Sequence, residues 1–336
     1  MILRPLLLLL AACSSGGDEP PAGTDTGGGS TEGPAWEMVV EDGPGGMMLG
    51  AFSVGDTMVV VGGQLNDGTG TVWTLKDDTL CVEEEISDAP LWWVHGRSDT
   101  DYYMVGEEGV IVHEVEGTRV REDVPTSAKL FGVYDDGVDV WAVGGDIFGD
   151  GTGEIWRRVD GEWSLASTTP GLAFKVWEGW VVGDGFAWFW DGSSFEDRTP
   201  PGDPRFTTVR GRGPDDVWVV GGTQVAELFH WDGSGWEQPE LDPACINAAL
   251  NGVYTAPGED VFVAGMFGVA ARYDGTSWAC AGQPMTAKAF HAVWAHGGAW
   301  WALGGNFTSS STQVSSVARF GEGPLPEVQG TCGEDG

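Results

Sequence analysis

Residues 215–222 read DDVWVVGG, and the phrase recurs as VDVWAVGG at 138–145, EDVFVAG at 259–265 and GAWWALGG at 298–305. Each copy is a short apolar run with a bulky aromatic near its start and a glycine at its end. Such a run is too short for a helix, and its Val and Trp content suits a strand buried on both faces. Aligned on the closing glycine, the marks are Gly62, Gly106, Gly144, Gly183, Gly221, Gly265 and Gly304, at spacings of 44, 38, 39, 38, 44 and 39 residues. A period near 40 built from short β runs signals radial repetition, one four-stranded blade per repeat, so seven marks predict an all-β, seven-bladed β-propeller.

The unit around residues 205–240 spells out the blade. RFTTVRG (205–211) is an innermost strand, RGPDD a turn, VWVVGG the second strand, AELFHWDG (226–233) the third, and WEQPE (236–240) opens the outer one. An Asp-Gly turn followed by an aromatic recurs as DGEW (160–163), DGSSF (191–195), DGSGW (232–236) and DGTSW (274–278), the sign of a hairpin. The innermost strands share a bulky residue three positions before a Val or Phe, as in Leu49/Phe52, Leu91/Val94, Leu130/Val133, Leu250/Val253 and Phe290/Val293. The unit FKVWEGWVVGDG (174–185) keeps almost none of its first turn and is the most degenerate blade. The last unit has a third strand, SSVARFGEG (315–323), with no Trp-bearing fourth strand after it, whereas PAWEMVV (34–40) at the other end supplies one. The N-terminal strand is therefore expected to complete the last blade, closing the ring and removing its free edges. The alternative is an eighth, partial blade.

The opening residues, MILRPLLLLLAACSSGG, place one arginine before a leucine run too short to span a bilayer, followed by small residues and Cys13. LAAC (Leu10 to Cys13) resembles the bacterial lipobox, whose cysteine becomes the diacylated first residue of the mature chain; the other reading is an ordinary secretory signal with an incidental cysteine. On that resemblance residues 1–12 form the signal peptide, and Ser14, in place of an aspartate, implies the outer membrane. Residues 14–34 carry no large apolar side chain and read as a disordered tether, its ends on the order of 25 Å apart. The folded unit is expected over 35–328, with 329–336 as a tail.

Glycine pairs at 62–63, 144–145, 221–222 and 304–305 resemble kelch repeats, and DGTSW resembles the Asp-box turn of neuraminidase-type repeats without the residue that separates Asp from Gly. The chain over 35–328 thus resembles bacterial propeller lipoproteins whose repeats lie between the two. Those families include sialidases, oxidases, scaffolds and assembly factors, so the resemblance implies architecture and not activity.

The 336 residues carry 51 acidic and 16 basic side chains, a formal charge of −35, which argues against a nucleic-acid partner. Catalysis finds little support. The arginines lack the convergent placement a sialidase-like site needs, and the five histidines at 95, 113, 230, 291 and 296 show no HxH or HExxH spacing. Two loops, GGQLNDGTG (62–70) and GGDIFGDGTGE (144–154), offer Asp67, Asp146, Asp150 and Glu154 as oxygen ligands for a structural calcium, although Asp-Gly is first of all turn chemistry. No other cofactor is expected.

Most of the 18 tryptophans fall on template positions and read as inter-blade core. The position just after the Val of each innermost strand differs: Ser53, His95, Tyr134, Trp177, Arg210, Tyr254 and Trp294. A position that varies from blade to blade while staying polar or aromatic is a candidate binding mouth on the channel, or else a plug in the hub. The long second-to-third-strand loops frame a competing face. Among the four cysteines left after Cys13, three pairings are open; blade positions favour Cys245 with Cys280 and Cys81 with Cys332 across the ring closure. The expectation is a lipid-anchored binding or scaffold module for an envelope protein or glycan, with a glycan-active enzyme and a purely structural envelope component as the rivals.

Overall fold

The computed structural model describes residues 34–65, 68–149, 151–281, 285–307, 312–330 and 332. Cys13, the signal segment and the tether up to residue 33 lie outside them, as do Asp67 and Asp150. The described residues form seven sheets, six of four antiparallel strands and one of four antiparallel strands with a fifth added in parallel, arranged as a seven-bladed propeller. In the last sheet the strand Ala35–Gly43 pairs with Ser315–Gly321, Trp36 facing Phe320, so the N-terminal strand is the outer strand of blade seven and no eighth blade exists among the described residues. The degenerate unit is a full blade too, built from the shorter strands Ala173–Trp177, Trp180–Gly183, Phe186–Trp190 and Phe195–Asp197.

Second strands are buried along nearly their whole length, and Val140–Gly145 and Val261–Gly265 entirely, because each blade is sandwiched between two others. Outer strands face water, and Thr118–Glu122 is almost wholly exposed. The repeat glycine has a steric cause rather than a turn. A Cβ on Gly221 would lie 1.8 Å from the Arg205 carbonyl oxygen, one on Gly144 1.9 Å from Lys129 O, and one on Gly304 1.9 Å from Ala289 O. Each innermost strand begins against the glycine that ends its own second strand, and only a residue without a side chain permits that approach.

The aspartate turns divide into two kinds. Asp160–Gly161 is a tight hairpin with both residues at positive φ, 50° and 88°. The other three are wider loops closed by the aspartate side chain: Asp191 Oδ1 accepts from the Ser193 and Ser194 amides, Asp232 Oδ1 from Ser234 and Gly235, and Asp274 Oδ1 from Thr276 and Ser277. Those amides, Ser194's first, hold the Asp191 carboxyl down at about 2.

Both disulfides join the expected cysteines. Cys245–Cys280 ties the connection entering blade six to that blade's outer strand, with Cα atoms 5.4 Å apart. Cys81–Cys332 joins residues 251 apart in sequence, with Cα atoms 4.9 Å apart. The approach to Cys332 is ordered by a parallel pairing at the end of the folded unit: Glu327–Val328 lies against Thr79–Ser87, and the amide of Gln329, the first residue of the expected tail, donates to Leu80 O at 2.8 Å.

Candidate functional site

The innermost strands of all seven blades carry a β-bulge at the same place. In blade three Leu130 pairs with Gly144 and Gly132 with Val143, which leaves Phe131 unpaired. The same shift isolates Leu49, Trp92, Phe174, Thr207, Asn251 and His291. A bulge re-aims a side chain, and four of these, Trp92, Phe131, Phe174 and His291, pack on one another across blades. Trp92 packs on Phe131 at 5.2 Å and on His291 at 5.9 Å, Phe131 on Phe174 at 5.3 Å, and Asn251 Nδ2 donates to Phe290 O. The bulge tier was not legible in sequence, because it depends on which residue of each strand is skipped in pairing.

One tier along, two residues past the skipped one's predecessor, small residues at Gly50, Gly132, Gly252 and Ala292 leave room for Trp93 and Lys175. Trp93 fills the space that a Cβ on Gly50 would need. Lys175 is fully buried; its amine donates to Phe131 O at 2.7 Å and lies 4.1 Å over the Trp93 ring. Burial pulls this amine down to about 7. Beside it His291 Nδ1 bonds to Leu49 O at 2.7 Å, and burial, with the Lys175 charge second, pushes this imidazole down to about 3.

The third tier, at the mouth formed by the first-to-second-strand turns, holds the residues that sequence reading singled out. Pairing register replaces one of them. The position facing the second-strand residue three before the repeat glycine is His95, Tyr134, Trp177, Arg210, Tyr254 and Trp294, and in blade one it is Phe52, opposite Val59. Ser53 sits one residue further on, hydrogen-bonded to His296 Nδ1 at 2.8 Å, because alignment on bulky residues slipped blade one by one position, which reverses the face.

These seven side chains do come together. Phe52 contacts His95 at 5.1 Å and Trp294 at 6.3 Å, His95 contacts Tyr134 at 4.4 Å, and Tyr254 contacts Trp294 at 5.2 Å. The Arg210 guanidinium lies 4.1 Å over Trp294, with Tyr254 and Trp177 at 5.6 and 5.8 Å. Within the ring His95, Trp177 and Trp294 are buried, while Tyr134, Arg210 and Tyr254 are half-buried. His95 Nδ1 accepts from the Asp135 amide, and burial, aided by the Arg210 charge, holds its imidazole well below the ordinary histidine range.

Among the described residues the Arg210 guanidinium has no hydrogen-bond acceptor and no carboxylate within ion-pair distance. Burial lowers its pKa from the usual arginine value, with Tyr254, Tyr134 and Glu178 acting in the opposite sense. Burial also lifts the Tyr134 phenol to about 12, helped by Glu178, and raises the Tyr254 phenol. Glu178, exposed at the rim, is raised by partial burial and lowered by Arg210. The mouth therefore combines a guanidinium fork, two phenols and apolar ring edges above a floor of packed tryptophan.

Of the four calcium candidates, the described residues include two, Asp146 and Glu154, both hydrogen-bonded within the protein. Asp146 Oδ1 accepts from the Phe148 amide, and Glu154 Oε2 from Thr126 Oγ1 and Trp156 Nε1, each at 2.7–2.8 Å, while Asp67 and Asp150 fall outside the description.

A further recurrent feature went unread in the opening phrase. In four blades an aspartate two residues before the second-strand aromatic reaches a histidine or arginine on the third strand: Asp101 with His113, Asp139 with Arg157, Asp216 with His230 and Asp260 with Arg272. That partner stacks on the aromatic in three of these, His113 on Tyr103 at 3.9 Å, His230 on Trp218 at 4.3 Å and Arg157 over Trp141 at 4.9 Å. The signal was present as D-x-aromatic in DYY, DVW, DVW and DVF, but its partner lies on another strand.

No family model and no curated protein matches the sequence. Among solved structures the chain is similar to YCF48 bound to D1 peptide, at 15% identity and TM-score 0.62 over 87% of this chain and all of that one. It is similar also to the WD40 β-propeller domain of Doa1, at 12% identity and TM-score 0.63 over 86% and 98% of the two chains, and to YCF48 from Cyanidioschyzon merolae, at 12% and 0.59 over 85% and 99%. At such identities the likeness is one of fold.

Proposed function

We propose that this chain is an exported propeller of the kelch or neuraminidase-repeat kind, anchored through a lipid on Cys13 to the outer membrane, that acts as a binding or scaffold module rather than an enzyme. Its partner is a protein or glycan of the cell envelope, taken at the axial mouth. The observation that carries this reading is Arg210: a half-buried cation, stacked in an aromatic ring, with its donors left unused by the protein. Guanidinium donors left free among aromatic faces at the axial opening are what a ligand site offers. Support of a general kind comes from the similar fold of YCF48 bound to D1 peptide. The mouth has one arginine where a sialidase-like site needs three, which disfavours that rival.

The test uses the lipidated chain extracted in detergent as bait for an envelope extract. A partner captured by the wild type and lost with Arg210→Gln supports the mouth; a partner that Arg210→Gln retains refutes it. Cys13→Ala should move the protein from the membrane fraction to the soluble one, and unchanged fractionation would remove the anchor.

A further inference from the structure

The geometry points to the C-terminal carboxylate of a peptide as the group that Arg210 receives, held bidentately by the guanidinium and flanked by the Tyr134 and Tyr254 hydroxyls. This inference rests on the reading of the axial mouth as the ligand site.

The chain has 51 acidic residues, yet among the described residues only Arg205 and Arg210 of the arginines lack a carboxylate within 4 Å. Arg205 lies over Phe174 at the other end of the same blade's innermost strand. Arg210 is surrounded on three sides by aromatic rings, and neither nearby phenol makes a hydrogen bond to a described residue. A planar fork of N–H donors matches a carboxylate bidentately and with geometric selectivity. Two phenolic O–H groups add donors for the same oxygens.

The charges further out select among carriers of that group. Glu178 directly follows Trp177, Asp136 stands two residues after Tyr134 and Glu259 five after Tyr254, all three exposed, while Asp135 is buried against Arg97. A single anion thus meets one cation at the centre, whereas a second negative charge on the same ligand would face a rim of carboxylates. A polyuronate or a doubly charged phosphate is disfavoured by that arrangement. A peptide terminus supplies one carboxylate, can carry neutral or basic side chains for the rim, and presents an apolar last side chain to the Tyr rings. Capture of a terminal carboxylate is an established mode of peptide recognition.

The probe is a pair of arrays bearing the same peptides, linked through their N-termini, with either a free C-terminal carboxylate or a C-terminal amide. The protein is the full lipidated chain in detergent. The expected result is binding to free-acid peptides at least tenfold stronger than to their amides, enriched for Lys or Arg upstream of the last residue. Arg210→Gln should abolish the preference while its near-UV circular dichroism and melting temperature stay those of the wild type, and Arg210→Lys should restore part of it. Equal binding to the two arrays, or binding to neither, overturns the inference. So does competition by oligogalacturonate without any free-acid peptide signal, which would assign the seat to a glycan. If Arg210→Gln loses its envelope partner while the arrays fail to discriminate, only the carboxylate falls; if that variant keeps its partner, the axial reading falls with it.

Discussion

At the level of single residues, the hub holds two cations without anionic partners, and they differ in accessibility. Arg210 is half-buried at a mouth, whereas Lys175 is 3% exposed between tiers and rests on one carbonyl and one tryptophan face. A buried amine with so little compensation costs stability. Lys175→Met should therefore stabilise the protein by about 1–3 kcal/mol in chemical denaturation near neutral pH. The pH dependence has a definite sign. Its folded pKa of about 7 lies below the unfolded value of about 10.4, so between these limits the unfolded chain binds a proton that the folded one does not. Stability from this site should rise as pH goes from about 7 towards 10 and be flat below 7. Denaturation at pH 6.5 and 9.5 should show that rise in the wild type and its loss in Lys175→Met; equal slopes in both would refute the assignment. Of these two cations, sequence reading found the one that follows a strand's last Val and passed over the one inside the strand. Nothing in FKVW marks a lysine as buried until Trp93 and Phe131 are known to close over it.

At the level of the strand and blade, the repeat is held by two devices of unequal legibility. The glycine was visible as a repeated letter, and its cause is the carbonyl that it admits. The aspartate clamp was visible only as half of a pair. Asp139, with its side chain 9% exposed, receives Arg157 across the sheet, and Arg157 in turn covers Trp141. Asp139→Ala leaves that guanidinium without its acceptor and should cost about 2 kcal/mol, measured as a shift in urea midpoint with unchanged slope. The same substitution at exposed Asp160, in a tight hairpin, should cost well under that. A cost at Asp139 no greater than at Asp160 would show that the clamp does not stabilise the blade.

For the whole molecule, the ring closes three times over. Ala35–Gly43 completes blade seven, Glu327–Val328 adds to blade one, and Cys81–Cys332 fastens the C-terminal run to that blade. A crosslink between residues 251 apart constrains the unfolded chain strongly, by about 5.5 kcal/mol in the chain-entropy account. Cys81→Ala with Cys332→Ala should lower the melting temperature by roughly 8–10 °C, a larger fall than Cys245→Ala with Cys280→Ala, whose loop spans only 35 residues. Calorimetry on the two double variants decides; the reverse order would mean that native contacts and not loop length set the effect.

Sequence alone determined the all-β class, the seven blades, the closure by the N-terminal strand and both cysteine pairings, because a repeat of about 40 residues exposes its own period and propeller packing repeats with it. It also identified six of the seven mouth residues, since a variable position inside a constant frame stands out. Tertiary structure decided the seventh, Phe52 instead of Ser53, because face follows pairing register and a one-residue slip reverses it. It alone decided which members of the ring are floor and which are open, because burial depends on neighbours from other blades. The unpaired state of Arg210 belongs to the same class of fact: a guanidinium is alone only by reference to every carboxylate that folding has placed elsewhere.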